Sequence, residues 1–231
     1  MSLSFSHNRK RLIKWIGYGL IVLVVAFFFI RVAVWEHGYY KQKEGSERAI
    51  VAGEPESEPE EELIEIPPTE NEVTEYVVAP ERPRYLTIEK LGIYNARILP
   101  MGINARGELA TPNNIFDVGW YNASGLPGMG GTMVIDGHNG GPNVHGVFKE
   151  LPSLQSGDII SVQRGDGVVF RYRVVENNAV SLQDSNAYML TAMRSPIVGE
   201  ESVTLISCTG EWSQVQRTYL SRQFTRGVLV N

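Results

Sequence analysis

From Trp15 to Ile30 the chain reads Trp-Ile-Gly-Tyr-Gly-Leu-Ile-Val-Leu-Val-Val-Ala-Phe-Phe-Phe-Ile, without one charged side chain. No other stretch restricts the fold so tightly. In hydrocarbon a lone segment must satisfy its own backbone hydrogen bonds, and only a helix does so. With its flanks the apolar region covers residues 12–35 and reaches the roughly 20 residues a membrane-crossing helix needs. Lys14 and Arg31 sit near its ends, where long side chains reach the headgroups. Arg9-Lys10-Arg11 precede it, a basic cluster that keeps residues 1–11 in the cytoplasm and puts the rest of the chain outside. No small-x-small cleavage site follows, because Trp35-Glu36-His37 are bulky or charged, so a retained type II anchor is expected.

Residues 36–81 read as a tether. They include Glu54-Pro55-Glu56-Ser57-Glu58-Pro59-Glu60-Glu61-Glu62, and between 44 and 81 thirteen Glu face a single Arg. Such a segment buries too little apolar surface to offset its chain entropy, so it is expected to be disordered and extended. Residues 82–231 carry thirteen basic and twelve acidic side chains, so the chain's acidity belongs to the tether. A nearly neutral domain offers no electrostatic footing for a nucleic-acid partner. Its 150 residues suit one core, and the fragment Arg82–Asn231 is expected to fold alone.

Within that domain the pattern is one of short strands bounded by Gly, Pro, Asn and Asp. The candidates are Tyr85–Leu91, Asn95–Leu99, Ile115–Tyr121, Gly131–Asp136, Asp158–Gln163, Val168–Val175, Ser202–Cys208 and Thr218–Val230, the last with a break near Thr225. Asp166-Gly167 is a hairpin signal. Helical signals are confined to Val147–Leu151 and Asn186–Arg194. Many short strands with little helix point to a mainly β fold, a closed barrel or a sandwich.

The one cysteine, Cys208, ends the apolar run Thr204-Leu205-Ile206-Ser207-Cys208. Outside the cell cysteines usually pair as disulfides, so a lone thiol calls for another reason. The chemical reason is nucleophilic catalysis; the competing reading is a packed thiol behaving as a small hydrophobe. A nucleophilic thiol needs a nearby base or cation. Of four histidines, His7 and His37 fall on the wrong side of, or against, the membrane. His138, in Val134-Ile135-Asp136-Gly137-His138-Asn139-Gly140-Gly141, stands at the mouth of an apolar strand, whereas His145 lies in the loop that follows. Arg217 opens the final strand and offers a guanidinium fork for a carbonyl or a developing oxyanion, with Arg222 as its competitor.

Together these segments resemble the sortase family, membrane-anchored cysteine transpeptidases. Thr204-Leu205-Ile206-Ser207-Cys208 is similar to the family's Thr-Leu-x-Thr-Cys signature, with Ser at 207. Gly137-His138 and the stretch Gly146–Val162 resemble its histidine loop and the strand after it. Gly119-Trp120-Tyr121 and Pro127-Gly128-Met129-Gly130-Gly131-Thr132 resemble the approach to that loop, most nearly in the branch called class F. Arg217 and its apolar followers resemble the arginine strand.

The resemblance implies a closed eight-stranded β-barrel with one or two short helices, catalytic residues His138, Cys208 and Arg217, and Ser207 supplying a hydroxyl near the oxyanion. It implies cleavage of a signal like Leu-Pro-x-Thr-Gly between Thr and Gly through a thioacyl-enzyme. The released chain would pass to an amine of a cell-wall precursor or a pilin subunit. Neither metal nor organic cofactor is expected. Two other readings remain: a non-catalytic anchored β-domain that binds a wall component, and an L,D-transpeptidase, whose Gly before and apolar-Arg pair after the cysteine do not match Ser207 and Thr209-Gly210-Glu211.

Overall fold

The computed structural model describes residues 63–105 and 107–230. The expected cytoplasmic segment 1–11, the membrane helix 12–35 and the first part of the tether lie outside the described residues. Among the described residues no helix is long and apolar enough to cross a membrane.

Eight strands close into a barrel: β1 (Pro83–Ile88), β2 (Ile93–Met101), β3 (Val118–Tyr121), β4 (Thr132–Gly137), β5 (Ile159–Arg164), β6 (Val169–Ser181), β7 (Ser202–Ser213) and β8 (Thr218–Val230). Their order around the barrel is β1-β2-β3-β4-β7-β8-β6-β5. β2 runs parallel to β3, and β4 parallel to β7; the other pairs are antiparallel. Two short helices accompany them, α1 (Glu70–Thr74) and α2 (Leu182–Ala192), with 3-10 turns at Glu89–Leu91 and Leu151–Ser153. The mainly β, closed eight-stranded architecture is the expected one.

The barrel interior is filled by Leu86, Ile88, Val118, Met133, Ile135, Phe148, Ile160, Val162, Tyr172, Val203 and Leu205, all within 1% of fully buried. Side chains alternate across a strand, so the next residues of β4, β7 and β8 face outward. They are buried as well. Val134, Ile206 and Phe224 form a second apolar cluster under Ala192, Tyr188 and Met189 of α2 and under Leu109 of the β2–β3 connection. Burial on both faces is why Val203–Ser207 lacks the polar alternation of a half-exposed strand.

α2 is pinned at both ends. Ser181 caps its start by accepting from the Asp184 N–H at 3.1 Å. At its other end Thr204 Oγ1 donates to the Ala192 carbonyl at 2.7 Å, and the buried Arg226 donates to the Thr191 and Arg194 carbonyls at 3.1 and 2.6 Å. A cation on the last carbonyls is the favourable end for a helix dipole. Compared with expectation the helix begins four residues earlier, and β6 and β7 run on to Ser181 and Ser213. Strand β8 is continuous through Thr225.

The domain also starts earlier than expected. The compact unit is Glu61–Asn231, so its boundary lies upstream of Arg82, and residues from 63 onward are part of the folded unit rather than of a disordered tether. Thr69 and Glu72 form a capping box at α1. Tyr76 Oη donates to the Ile98 carbonyl at 2.5 Å, Tyr85 Oη donates to the Val73 carbonyl, and Arg84 Nε donates to the Tyr76 carbonyl at 2.7 Å. Ile64 bridges to Asn114 in parallel. The acidic residues that suggested disorder here accept hydrogen bonds: Glu65 takes the Asn143 N–H at 3.0 Å and the Asn143 side-chain amide at 2.9 Å.

Candidate active site

Strand β4 ends at Gly137, alongside the middle of β7. The parallel register of β4 and β7 pairs Asp136 with Ile206, so His138 and Cys208, two residues further along each strand, stand side by side. Two bonds bracket the junction. Ser207 Oγ donates to the Gly137 carbonyl at 2.9 Å, and Asn139 Nδ2 donates to the Cys208 carbonyl at 2.7 Å. Gly137 has no room for a side chain, since a Cβ there would lie 2.6 Å from the Phe148 ring. That close approach packs the core under the histidine loop. The loop returns on itself through Phe148 N–H to the His138 carbonyl, 2.9 Å, and Gly146 N–H to the Asn139 carbonyl, 2.8 Å.

Cys208 is half-buried and unpaired. Opposite it on β8, at the Cα-paired position, is Arg222. Register sends Asp136, Ile206, Cys208, Arg222 and Phe224 to one outer face of β4, β7 and β8, the face that carries the second apolar cluster. The site thus adjoins the buried apolar cluster of Val134, Ile206 and Phe224, against which Leu109 and Tyr188 of α2 pack. Tyr188 packs on Phe224 with ring centroids 4.8 Å apart.

The structure brings together His138, Cys208 and Arg222, and it does not bring Arg217 to them. The expectation that placed Arg217 at the site is corrected by the length of the β7–β8 hairpin. Pairing continues beyond Cys208 as far as Ser213 with Thr218, with Trp212 edge-on to Tyr219 at 5.2 Å. Arg217 falls in the turn, exposed, with φ 51°. Arg222 lies five positions further on, about 17 Å away at ~3.3 Å per residue. The Arg222 guanidinium folds over its own strand, donating to the Tyr219 and Ser221 carbonyls at 2.9 and 3.1 Å and to Thr218 Oγ1 at 3.3 Å. His145 is exposed in the histidine loop, bridged to Gly140.

Ser207 also departs from expectation. It is 1% exposed and its hydroxyl is spent on the Gly137 carbonyl, so it ties β7 to β4 rather than lining the oxyanion position. Two residues escaped sequence reasoning. Asn139 was visible in the histidine motif, but nothing in the sequence marked its amide as the link to Cys208. Asp136 read as the polar end of a strand; its carboxylate in fact accepts from Thr111 Oγ1 at 2.5 Å on the face shared with Cys208.

The electrostatics follow from this placement. Burial pushes the Cys208 thiol up; the Arg222 cation opposes that, and the Asp136 carboxylate adds to it. Burial pushes His138 down, against the bond from its ring to the Pro112 carbonyl. Asp136 is raised to about 6 by burial, opposed by the Thr111 hydroxyl, the Gly137 backbone and Arg222. Near neutral pH the resting pair is therefore a thiol and a neutral imidazole. Among the described residues no three His, Cys, Asp or Glu side chains are grouped to hold a metal ion.

A search of curated protein sequences returns no match. Among solved structures the chain is similar to a Clostridium perfringens sortase D5 transpeptidase, at 21% identity over 71% of this chain and 90% of that one, with a TM-score of 0.47. It is similar to sortase C-1 of Actinomyces oris, at 23% identity over 69% and 78% of the two chains, TM-score 0.47. It is also similar to sortase C1 of Streptococcus agalactiae, at 21% identity over 67% and 70%, TM-score 0.49. The family model described as the Sortase domain matches residues 86–230, well over half of the chain. On that match the chain belongs to the sortase family of cysteine transpeptidases.

Proposed function

We propose that this sortase cleaves a sorting signal of the Leu-Pro-x-Thr-Gly kind between Thr and Gly, with Cys208 as nucleophile, His138 as acid and base, and Arg222 as the oxyanion cation. The observation that supports the assignment is the strand register: Cys208, within β7, is paired with Arg222 of β8, and His138 follows the end of the neighbouring β4.

The thiolate of Cys208 adds to the Thr carbonyl. Arg222, turned from its own strand toward the new oxyanion, offers a planar fork that an ammonium does not reproduce. Collapse to the thioacyl-enzyme expels the Gly amine, which takes a proton from the His138 imidazolium. An acceptor amine then attacks the thioester, gives its proton to His138 and releases Cys208. The acceptor is an amine of a cell-wall precursor or of a pilin subunit. The reactive ion pair is the minor form, because the cysteine titrates above its ordinary range and the histidine below. A bell-shaped kcat/KM profile follows, its limbs displaced outward from ordinary histidine and cysteine values.

The N-terminal segment 12–35 is proposed as the membrane anchor that holds the catalytic domain on the outer face. Cleavage of a fluorescent Leu-Pro-x-Thr-Gly peptide set tests the reading. Cys208→Ala should abolish cleavage and trapping of the thioacyl adduct, and His138→Ala should lower the rate by roughly 10²–10⁴-fold. Full activity in the Cys208→Ala protein refutes it.

A further inference from the structure

Among the described residues the ring of His138 has one hydrogen-bond partner, and it comes from the β2–β3 connection. His138 Nε2 lies 2.8 Å from the carbonyl oxygen of Pro112. A backbone carbonyl only accepts, so the proton of this bond belongs to Nε2. In a neutral imidazole the other nitrogen, Nδ1, is then the bare one. The residue before Pro112 makes the matching contact on the same strand: Thr111 Oγ1 donates to Asp136 Oδ2 at 2.5 Å. Consecutive residues of one loop therefore grip β4 at Asp136 and, one residue past its end, at His138.

The loop is held in turn. Pro112 is buried. Just beyond it, the Asn113 carbonyl accepts the Ile64 N–H at 2.9 Å, and the Ile115 N–H donates to the Ile64 carbonyl at 3.1 Å. The Ile115 carbonyl accepts the Val147 N–H of the histidine loop at 2.8 Å. Thr111 and Pro112 thus belong to a braced segment and not to a free surface turn.

We infer that Thr111-Pro112 is the orienting element of the histidine: the Pro112 carbonyl keeps a proton on Nε2 of His138, which makes Nδ1 the atom that exchanges protons with the substrate amines. This rests on the acid–base role proposed for His138. In the acylation step the proton on Nδ1 passes to the nitrogen of the departing amine as its bond to carbon breaks. In the transfer step the incoming amine loses a proton to Nδ1 as its bond to the acyl carbon forms. Nε2–H stays on Pro112 throughout, and because a carbonyl favours the protonated ring, the bond partly offsets the burial that disfavours it. Thr111 acts as a positioning residue, setting the Pro112 carbonyl through its bond to Asp136.

Two measurements on the full chain test this. Long-range nitrogen–carbon-proton NMR of protein labelled with 15N-histidine, at a pH where the ring is neutral, reads which nitrogen carries hydrogen; His138 is assigned by the signal lost in His138→Gln. The expected result is a protonated Nε2 and an unprotonated Nδ1. A ring protonated on Nδ1 overturns the inference. In peptide cleavage, Thr111→Val should lower kcat by roughly 10- to 100-fold with little change in KM, as expected when a catalytic group loses its alignment. Thr111→Ser, which keeps the hydroxyl, should restore most of it, and thermal melts show that each variant is folded. Undiminished kcat in a folded Thr111→Val protein overturns the positioning role. The tautomer is read without turnover, so an active His138→Ala protein would defeat the acid–base assignment while leaving the orientation measured.

Discussion

Cys208 stands between charges of opposite sign, Arg222 across the strand pair and Asp136 on the neighbouring strand, and its reactivity should report both. Because Arg222 lowers and Asp136 raises the thiol, Arg222→Gln should shift the pH midpoint of iodoacetamide alkylation upward, and Asp136→Asn should shift it downward. Shifts of the opposite sign would mean that neither charge faces the sulfur. In peptide cleavage Arg222→Ala should cost roughly 10²–10³-fold, the usual loss for an oxyanion donor, while Arg217→Ala should leave most of the activity. Asp136 has a thermodynamic signature of its own. Its folded value of about 6 lies above the ~3.9 of an unfolded aspartate, so between about pH 4 and 6 the folded state binds the proton more tightly. Stability therefore falls as pH rises through that window. Asp136→Asn should raise the thermal midpoint at pH 8 and change it little at pH 4. The nucleophile and the histidine were legible because each ends an apolar run. The choice of arginine was not, since it depends on how far a hairpin extends before it turns.

At the scale of elements, the junction of β4 with β7 is held by Ser207 and Asn139, neither of which needs to touch substrate. Ser207→Ala leaves the buried Gly137 carbonyl without that donor and should cost about 1–3 kcal/mol of stability. If Ser207 serves only as this tie, urea midpoints fall while kcat/KM of the folded fraction is kept. Equal loss of kcat/KM would return the residue to the oxyanion site. Strands with one buried and one exposed face were readable from alternation. The ends of β6 and β7 were not, because Glu176–Ser181 and Thr209–Ser213 are largely polar and are kept in the sheet by β8. α2 was displaced in the sequence reading for a related reason. Its start is set by the Ser181 cap and its docking by Arg226 and Thr204, which come from other elements.

For the whole molecule the boundary at Glu61 makes a prediction about truncation. A chain beginning at Glu61 should unfold at a higher urea concentration than one beginning at Arg82, because the shorter chain loses the Tyr76 and Ile64 bonds to the barrel. Equal midpoints would show residues 63–81 to be an ornament on the fold. The proposed anchor is tested separately: protease added to wall-stripped cells should digest the catalytic domain and spare an N-terminal reporter. The sequence by itself determined a mainly β fold and singled out the thiol and the histidine as candidates, because strand periodicity and the chemistry of a side chain are local properties; the closed eight-stranded barrel came from the family resemblance. Tertiary structure alone decided which arginine faces the thiol, which carbonyl orients the histidine and where the domain begins. Each depends on register or on contacts between residues distant in the chain: fourteen positions separate Cys208 from Arg222, and twenty-six separate Pro112 from His138. No local pattern encodes distances of that kind; they exist only once the strands have closed.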